Sequence, residues 1–410
     1  MASKRFSEVK NKSSIQLLMP DTAREFSCIM GDCEDNCCRN NSWKISIDAE
    51  SYKKYQGLDG EAREKILDCI DDSGNALIMR QFDDGKCPLM TDEGLCYIHK
   101  ELGVEYLSQT CAVYPRIYSS KTGRAEYWLT LSCPEVVRHV LYRKKGISFV
   151  ESNFVSSAVI PKPKPFDNEK ALVRDLLAKI LAYRKLTIKE KLLYMAMCMR
   201  SISKLDNSFD YARSFRKTIK NYGDGLRDAR KSLRDVITGL GSLQKSHRIS
   251  MLSGLAQLAC AAATPPKMHP KGIGNENYYR LMANFNLDIM SGKVTTYICD
   301  AFDRLIVSYI NSKPYLFENY LTYSLMSTEF LSETDNFARA YAGFAGEFAT
   351  MLVFACMFHE QDVFGDEEMV AAIYLFHRII SHNKQLRKAL IDKFADNTIV
   401  FLIYALGGVN

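Results

Sequence analysis

From residue 168 onward, apolar side chains recur every three or four positions, the spacing of a buried helical face. Leu172, Val173, Leu176, Leu177, Ile180 and Leu181 form one such stripe. Thr187, followed three residues later by Glu190, has the form of a capping box ahead of the run LLYMAMCM. The same period predicts helices over 207–222, 226–240, 248–262, 277–290, 295–311, 315–330, 334–359, 366–381, 384–394 and 397–406. No strand-like run alternates with these helices, and there is no internal repeat. Residues 171–410 are therefore expected to form an all-helical domain, interrupted by a long loop at 263–277, ATPPKMHPKGIGNEN.

The pattern changes before that point. SSAVIPKPKPFDNEK, residues 156–170, has three prolines and no period, and reads as a linker. In residues 1–155 the helical stretches are short, at 48–56, 60–72, 99–107 and 133–144, with a strand expected between Tyr127 and Leu131. Loops rich in Gly, Asp and Cys separate them. The expected fold class is mainly α: a loop-rich, Cys-rich metal-binding N-terminal domain followed by an all-helical C-terminal domain.

With 410 residues, 47% of them apolar, the chain has ample material for folded cores. Its longest apolar runs, 348–358 and 399–406, fall short of the ~20 residues of a membrane span. The opening MASKRFSEVKNKSS is basic and polar and does not resemble a signal peptide. A cytoplasmic protein without a membrane partner is expected. The net charge of +6 is concentrated after residue 150, where 33 Lys/Arg face 26 Asp/Glu. The stretch 213–248 alone holds ten Lys/Arg against three acids and is read as a solvated face, with docking of an acidic partner as the alternative. This bias is too weak to suggest nucleic acid.

Cysteine changes the picture most. Nine of thirteen lie before residue 140, and FSCIMGDCEDNCCRN (26–40) holds Cys28, Cys33, Cys37 and Cys38. Cys87, Cys96, Cys111 and Cys133 follow. In a reducing compartment, clustered thiols point to metal or redox chemistry rather than disulfides. Cys198, Cys260, Cys299 and Cys356, scattered in helical patterns, read as small buried hydrophobes. Tetrahedral zinc prefers two close Cys pairs, and only Cys33/Cys37 supplies one. An iron–sulfur cluster accepts looser spacing, and the surplus of thiols favours it. Unligated structural thiols are the third reading. His99, three residues after Cys96, is a candidate ligand, although a packing role is favoured.

The string FSCIMGDCEDNCC, followed by Trp43, Ile45, Ile47-Asp48 and Tyr52, resembles the opening of the bacterial flagellin lysine-N-methylases. The resemblance continues through CPLMTDEGLCYIHKELGVEYLSQTCAVYPRI (87–117), LTLSCPEVVRHVL (129–141) and ENYLTYSLM (318–326). One departure is Cys38-Arg39-Asn40-Asn41-Ser42-Trp43, where the family often has a shorter C-C-x-G-W passage. Residues 145–310 are not matched. The resemblance implies S-adenosylmethionine as methyl donor, a [4Fe-4S] cluster (zinc as the alternative) on Cys28, Cys33, Cys37, Cys38, Cys87, Cys96, Cys111 and Cys133, and flagellin lysines as acceptors.

Methyl transfer from a sulfonium to a neutral amine is a direct displacement that needs alignment and a deprotonated lysine. It needs no radical, and a radical-type C-x3-C-x2-C motif is absent. The cluster is then either structural or holds the methionine part of the donor at an open iron. No Rossmann signature is present: YGDGLRDAR (222–230) and KGIGNEN (271–277) follow no strand. Asp32, Glu34 and Asp35 are candidates to meet the sulfonium or the acceptor amine, with solvated loop and capping roles as the alternative. Tyr114, Arg116 and Tyr127 are candidates to line the donor site, and packing competes. Glu318 and Tyr320 are candidates to orient or deprotonate the lysine, against a plain helix start with one buried tyrosine. A non-enzymatic zinc- or Fe–S-binding scaffold is the competing functional class.

Overall fold

The computed structural model describes residues 15–38, 44–74, 76–82, 85–120, 125–154, 167–205, 210–239, 245–263, 300–327, 330–332, 334–358, 363–380 and 384–407. Most of the expected linker, the 263–277 loop beyond Ala263, the 277–290 helix, KGIGNEN, Trp43 and Cys299 lie outside them.

The first part contains more sheet than its sequence pattern predicts. Strands β1 (Ile15–Pro20), β4 (Arg116–Ser119), β5 (Glu126–Leu129) and β6 (Phe149–Phe154) form one sheet in the order β4-β5-β1-β6. β4 and β5 are an antiparallel hairpin, with Ile117 opposite Trp128. β1 runs parallel to β5 with Leu18 opposite Glu126, and antiparallel to β6 from Ile15–Phe154 to Pro20–Phe149. The single strand expected near Tyr127 is thus β5, one of four.

Between β1 and β4 lies a thiol-bearing lobe with α1 (Ala49–Gln56), α2 (Gly60–Leu67), the two-residue ribbon β2 (Ile70–Asp71) and β3 (Ile78–Met79), a wide helical turn at Ile98–Leu102, and α3 (Gln109–Val113). Ile45, Ile47, Tyr55, Ile66, Ile70, Met79, Cys87, Leu89 and Ile98 form its own small core. Asp48 ties this lobe together. Its carboxylate accepts the Ser51 amide (2.9 Å) and hydroxyl (2.9 Å) at the start of α1, and the Gln109 amide (2.8 Å) at the start of α3. Partial burial works against its charge, but these donors outweigh it and hold the carboxyl below the ordinary 3.8. A depressed carboxyl contributes stability above its unfolded pKa that is lost as pH falls through the folded value. Asp48→Ala is expected to cost about 1–2 kcal/mol in denaturant unfolding at pH 7, with the difference from wild type shrinking below pH 3.8.

The second part is helical throughout its described residues. It comprises α4 (Pro134–Leu141), which leads in, then α5 (Asn168–Leu181), α6 (Ile188–Ser203), α7 (Tyr211–Asp224), α8 (Ala229–Gly239), α9 (Lys245–Ala263), α10 (Ser308–Ser312), α11 (Pro314–Ser327), α12 (Phe337–Ala355), α13 (Asp366–Leu375), α14 (Lys384–Phe394) and α15 (Thr398–Ala405). The Thr187–Glu190 capping box is present in both directions. YGDGLRDAR is the turn between α7 and α8, not a phosphate loop. α12 is the central helix, with sixteen of nineteen residues buried. With the turn that follows, it is long and apolar enough to cross a membrane, but its side chains face protein: 94% of that window is buried. Gly346 lets α14 approach closely, since a Cβ there would meet Leu390 at 3.3 Å.

The sheet and the helices share one continuous core that runs from Leu17 through Trp128 and Val136 to Leu406. Polar ties reinforce it. Glu126 of β5 pairs with Arg174 of α5 at 3.5 Å, both side chains nearly sealed from solvent. From α11, the Tyr323 hydroxyl donates to the Leu129 carbonyl (2.6 Å) and accepts from its amide (2.8 Å). Asn319 donates to the carbonyls of Leu141 (2.8 Å) and Arg143 (2.9 Å), which closes the end of α4. The ENYLTY stretch therefore seats the sheet and α4 on the bundle.

Candidate functional site

The cysteines converge because the paired-cysteine loop is laced to the Cys87–Cys96 loop through Asn36 and a backbone bond. Asn36 accepts the Cys38 amide at 2.9 Å and donates to the Gly94 carbonyl at 2.6 Å, while the Cys87 amide donates to the Cys38 carbonyl at 2.8 Å. Gly31 lies against Leu95, where a Cβ would come within 3.2 Å. This places the paired cysteines beside the Cys87–Cys96 loop. The Cys38 thiol hydrogen-bonds both Cys37 and Cys96, so the Cys38 proton is held tightly. By the same contact, Cys37 is shifted down, and Cys96 falls to about 6. Cys87 and Cys111 lie close enough to feel the Cys96 charge. Cys28, Cys33 and Cys133 form a second group, with Cys133 acting on Cys33 and Cys28 on Cys133.

Backbone amides point at the sulfurs. Met30 donates to Cys28 at 3.4 Å, Asp35 to Cys33, Leu89 to Cys87, Ile98 and His99 to Cys96, and Glu135 and Val136 to Cys133. Each donor lies two or three residues beyond its cysteine, a local curl that stabilises negative charge on sulfur. Such bonds support thiolate ligands and tune a bound centre. All cysteines whose side chains are described are free. Among the described residues, no three His, Cys, Asp or Glu side chains are gathered closely enough to hold an ion as they stand. Burial pushes the remaining thiols up, Cys33 and Cys87 to about 12 and Cys111 and Cys133 to about 11. The donor set suits a thiolate-bound centre, which would supply the charge these sulfurs lack.

A residue without any signal in the sequence binds this loop to the bundle. Arg378, in the wide turn Phe376–Ile380 that continues α13, donates to Asp35 at 2.6 Å, with side chains 1% and 2% exposed. It also donates to the Ser132 carbonyl (3.0 Å), which accepts the Tyr114 hydroxyl too (3.1 Å), and lies 5.2 Å from the centre of the Tyr374 ring. Its charge acts on Cys37 and Cys133 alike. The Asp35–Arg378 pair thus stands next to both thiol groups.

The other nominated residues are placed as follows. Asp35 is committed to Arg378. Glu34 pairs with Arg138 at 2.8 Å, and Arg138 also reaches Glu367 at 2.5 Å. Asp32 is exposed at the end of the Met30–Asp32 turn. Arg116 lies 5.7 Å from the Phe26 ring, and Tyr127 is buried in β5 against Tyr118. His99 gives its amide to Cys96. Tyr320, 3% exposed, has its hydroxyl 3.0 Å from the His377 ring, next to Arg378. Tyr320 and Asp35 thus reach consecutive residues of one turn. Glu318 points elsewhere and binds the buried Lys191 ammonium at 2.5 Å. A cleft of about 320 Å³ between the end of α6, the start of α12 and residues 395–400 contains none of these residues.

The C-terminal helices of the bundle thus lock a thiol-bearing lobe in place. Residues 174–406 match the family described as FliB lysine N-methylase C-terminal domain, and the chain belongs to that family. The chain is 29% identical over 160 residues to the Lysine-N-methylase of Salmonella choleraesuis (strain SC-B67), covering 36% of this chain and 38% of that protein. Similarity to the Lysine-N-methylase of Salmonella typhimurium is also 29%, over 155 residues and the same shares. The Flagellar biosynthetic protein FliU of Salmonella muenchen is 32% identical over 139 residues, 31% of this chain and 78% of FliU. The matches to the two lysine-N-methylases span little more than a third of their length. No solved structure matches the chain.

Proposed function

We propose that the chain is a protein-lysine N-methylase that acts on flagellin in the cytoplasm, with S-adenosylmethionine as donor and an iron–sulfur cluster on the thiol lobe. The family match across the helical half carries the reading, and the names of the relatives support it. The amide donors on the sulfurs support thiolate ligation, and Cys37, Cys38, Cys87, Cys96 and Cys111 offer five thiols for the four positions a [4Fe-4S] centre takes. When bound, the cluster supplies charge that fixes these loops. Asp32, exposed and next to Cys33 in the chain, offers negative charge suited to a sulfonium, whereas Glu34 is already paired with Arg138. Arg378 and Asp35 hold the loop in place and need not touch the substrate. Transfer requires the acceptor nitrogen to be neutral and in line with the methyl group.

Incubation of the anaerobically purified protein with methyl-labelled donor and monomeric flagellin is expected to label lysines. No transfer by brown, cluster-bearing protein to its native flagellin overturns the methylase reading. Colourless, zinc-loaded protein overturns the iron–sulfur part alone.

A further inference from the structure

Where α4 ends, α10 ends and α13 begins, one ammonium group sits among groups suited to a cation. Lys313 Nζ binds Asp366 Oδ1. It lies 5.3 Å from the centre of the Tyr309 ring and 5.8 Å from that of Tyr142. The acceptors are fixed by each other. The Tyr309 hydroxyl donates to Asp366 Oδ1 at 2.5 Å, the hydroxyls of Tyr142 and Tyr309 are 2.9 Å apart, and Tyr142 also donates to the Asp366 carbonyl at 3.1 Å. Phe364 packs edge-on against Tyr309 at 5.4 Å. Asp366 is held at the first position of α13, where Glu368 accepts the Gly365 amide at 2.9 Å. Aromatic rings and one carboxylate around a cation are the chemistry that recognises amino and methylated amino groups.

The place is open and adjoins the thiol loop. Lys313 and Asp366 side chains are 30% and 45% exposed, so a side chain from another protein can reach them. Glu367, next to Asp366, is joined through Arg138 to Glu34, the residue after Cys33. Two ion pairs therefore separate this ammonium site from the second thiol group. Lys313 itself is carried on the residue between α10 and Pro314, and its backbone is anchored by its own amide to the Tyr309 carbonyl (3.0 Å). Its side chain is free to leave without disturbing that anchor.

We propose that Tyr142, Tyr309 and Asp366 form the binding site for the ammonium group of the acceptor lysine, and that Lys313 occupies it as an internal surrogate. The proposal deepens the methylase reading and rests on it for the identity of the ligand. An incoming lysine competes with Lys313, which lowers apparent affinity by the fraction of time the surrogate is seated.

Lys313→Gln removes the competitor and leaves the Tyr309–Asp366 bond in place. The probe is Nα-acetyl-lysine methylamide, with its trimethylated form in parallel, followed by NMR shift changes on isotope-labelled protein whose melting curve matches wild type. Lys313→Gln is expected to bind the probe about tenfold more tightly than wild type, and adding Asp366→Asn is expected to abolish the gain. No gain in Lys313→Gln, or a gain that survives Asp366→Asn, overturns the site. Methyl transfer to flagellin by Lys313→Gln, expected with a lower KM and unchanged kcat, separates the two readings. Probe binding without any transfer in wild type or variant supports the site and fails the methylase. Transfer with an unchanged KM and no probe binding supports the methylase and fails the site.

Discussion

Methionine in place of Arg378 is expected to destabilise the protein by about 3–5 kcal/mol, as breaking a buried ion pair does. The substitution would strip Asp35, which is 2% exposed, of its cationic partner and leave a carboxylate far from water. It would also remove the donor to the Ser132 carbonyl, which the Tyr114 hydroxyl alone would then satisfy. Burial disfavours the Arg378 charge, but Asp35 outweighs that and holds the guanidinium's pKa above its ordinary value. The guanidinium therefore keeps its charge although it is buried. Because one partner lies at position 35 and the other at 378, the loss should appear as loosening of the thiol loop as well as a lower unfolding midpoint. Faster reaction of Cys33, Cys37 and Cys38 with a thiol reagent is the local readout. Asp35→Leu combined with Arg378→Met is expected to recover much of the stability, since an apolar pair has no uncompensated charge. A single variant that melts like wild type, with unchanged thiol reactivity, would show that the pair does not tie the lobe to the bundle.

Nothing in the local sequence announces that contact. FHRII reads as the tail of an amphipathic helix, and a buried arginine there looks like any solvated one until its partner is known. The helical half was legible because burial imposes a period: 384–394 coincides with α14, and 397–406 with α15 to within a residue at each end. Leu172 fits the apolar stripe of α5 by spacing but is 38% exposed, whereas Val173, Leu176, Leu177, Ile180 and Leu181 are buried. The sheet was mostly illegible. Its strands run four to six residues and come from distant segments, and β6 (FVESNF) alternates too briefly to stand out. The thiol groups were visible as composition, but their separation into two sets depends on backbone bonds such as Cys87 to Cys38, which spacing does not reveal. Likewise Asn319 and Tyr323 lay inside a stretch singled out for Glu318 and Tyr320. Their role emerges only once β5 and α4 are beside them.

Removing the proposed metal centre from the purified protein is expected to melt the thiol lobe while the helical core stays folded. The two hydrophobic clusters differ greatly in size among the described residues: one runs through the sheet and bundle, whereas the lobe's own cluster holds nine buried side chains. Its helices α1 and α2 have eight residues each, too short to be stable without tertiary support. A core that small needs an additional constraint. Thiolate–metal bonds of the proposed centre would supply one, and on the order of 10 kcal/mol of binding free energy would then count as folding free energy. Hydrogen exchange resolves the two parts. After chelation, or in Cys96→Ser, amides of residues 44–111 should lose protection while those of α6 and α12 keep it. The strands β1, β5 and β6 should behave with the bundle, because Leu17 and Trp128 belong to the larger core and Phe149 packs against it. Equal loss of protection in α12 would mean that the lobe and bundle unfold as one unit. Unchanged protection in the lobe, in protein shown to have lost its metal, would mean that the nine buried side chains and ties such as Asp48 suffice, and that the amide donors on sulfur serve neutral thiols instead of a bound centre.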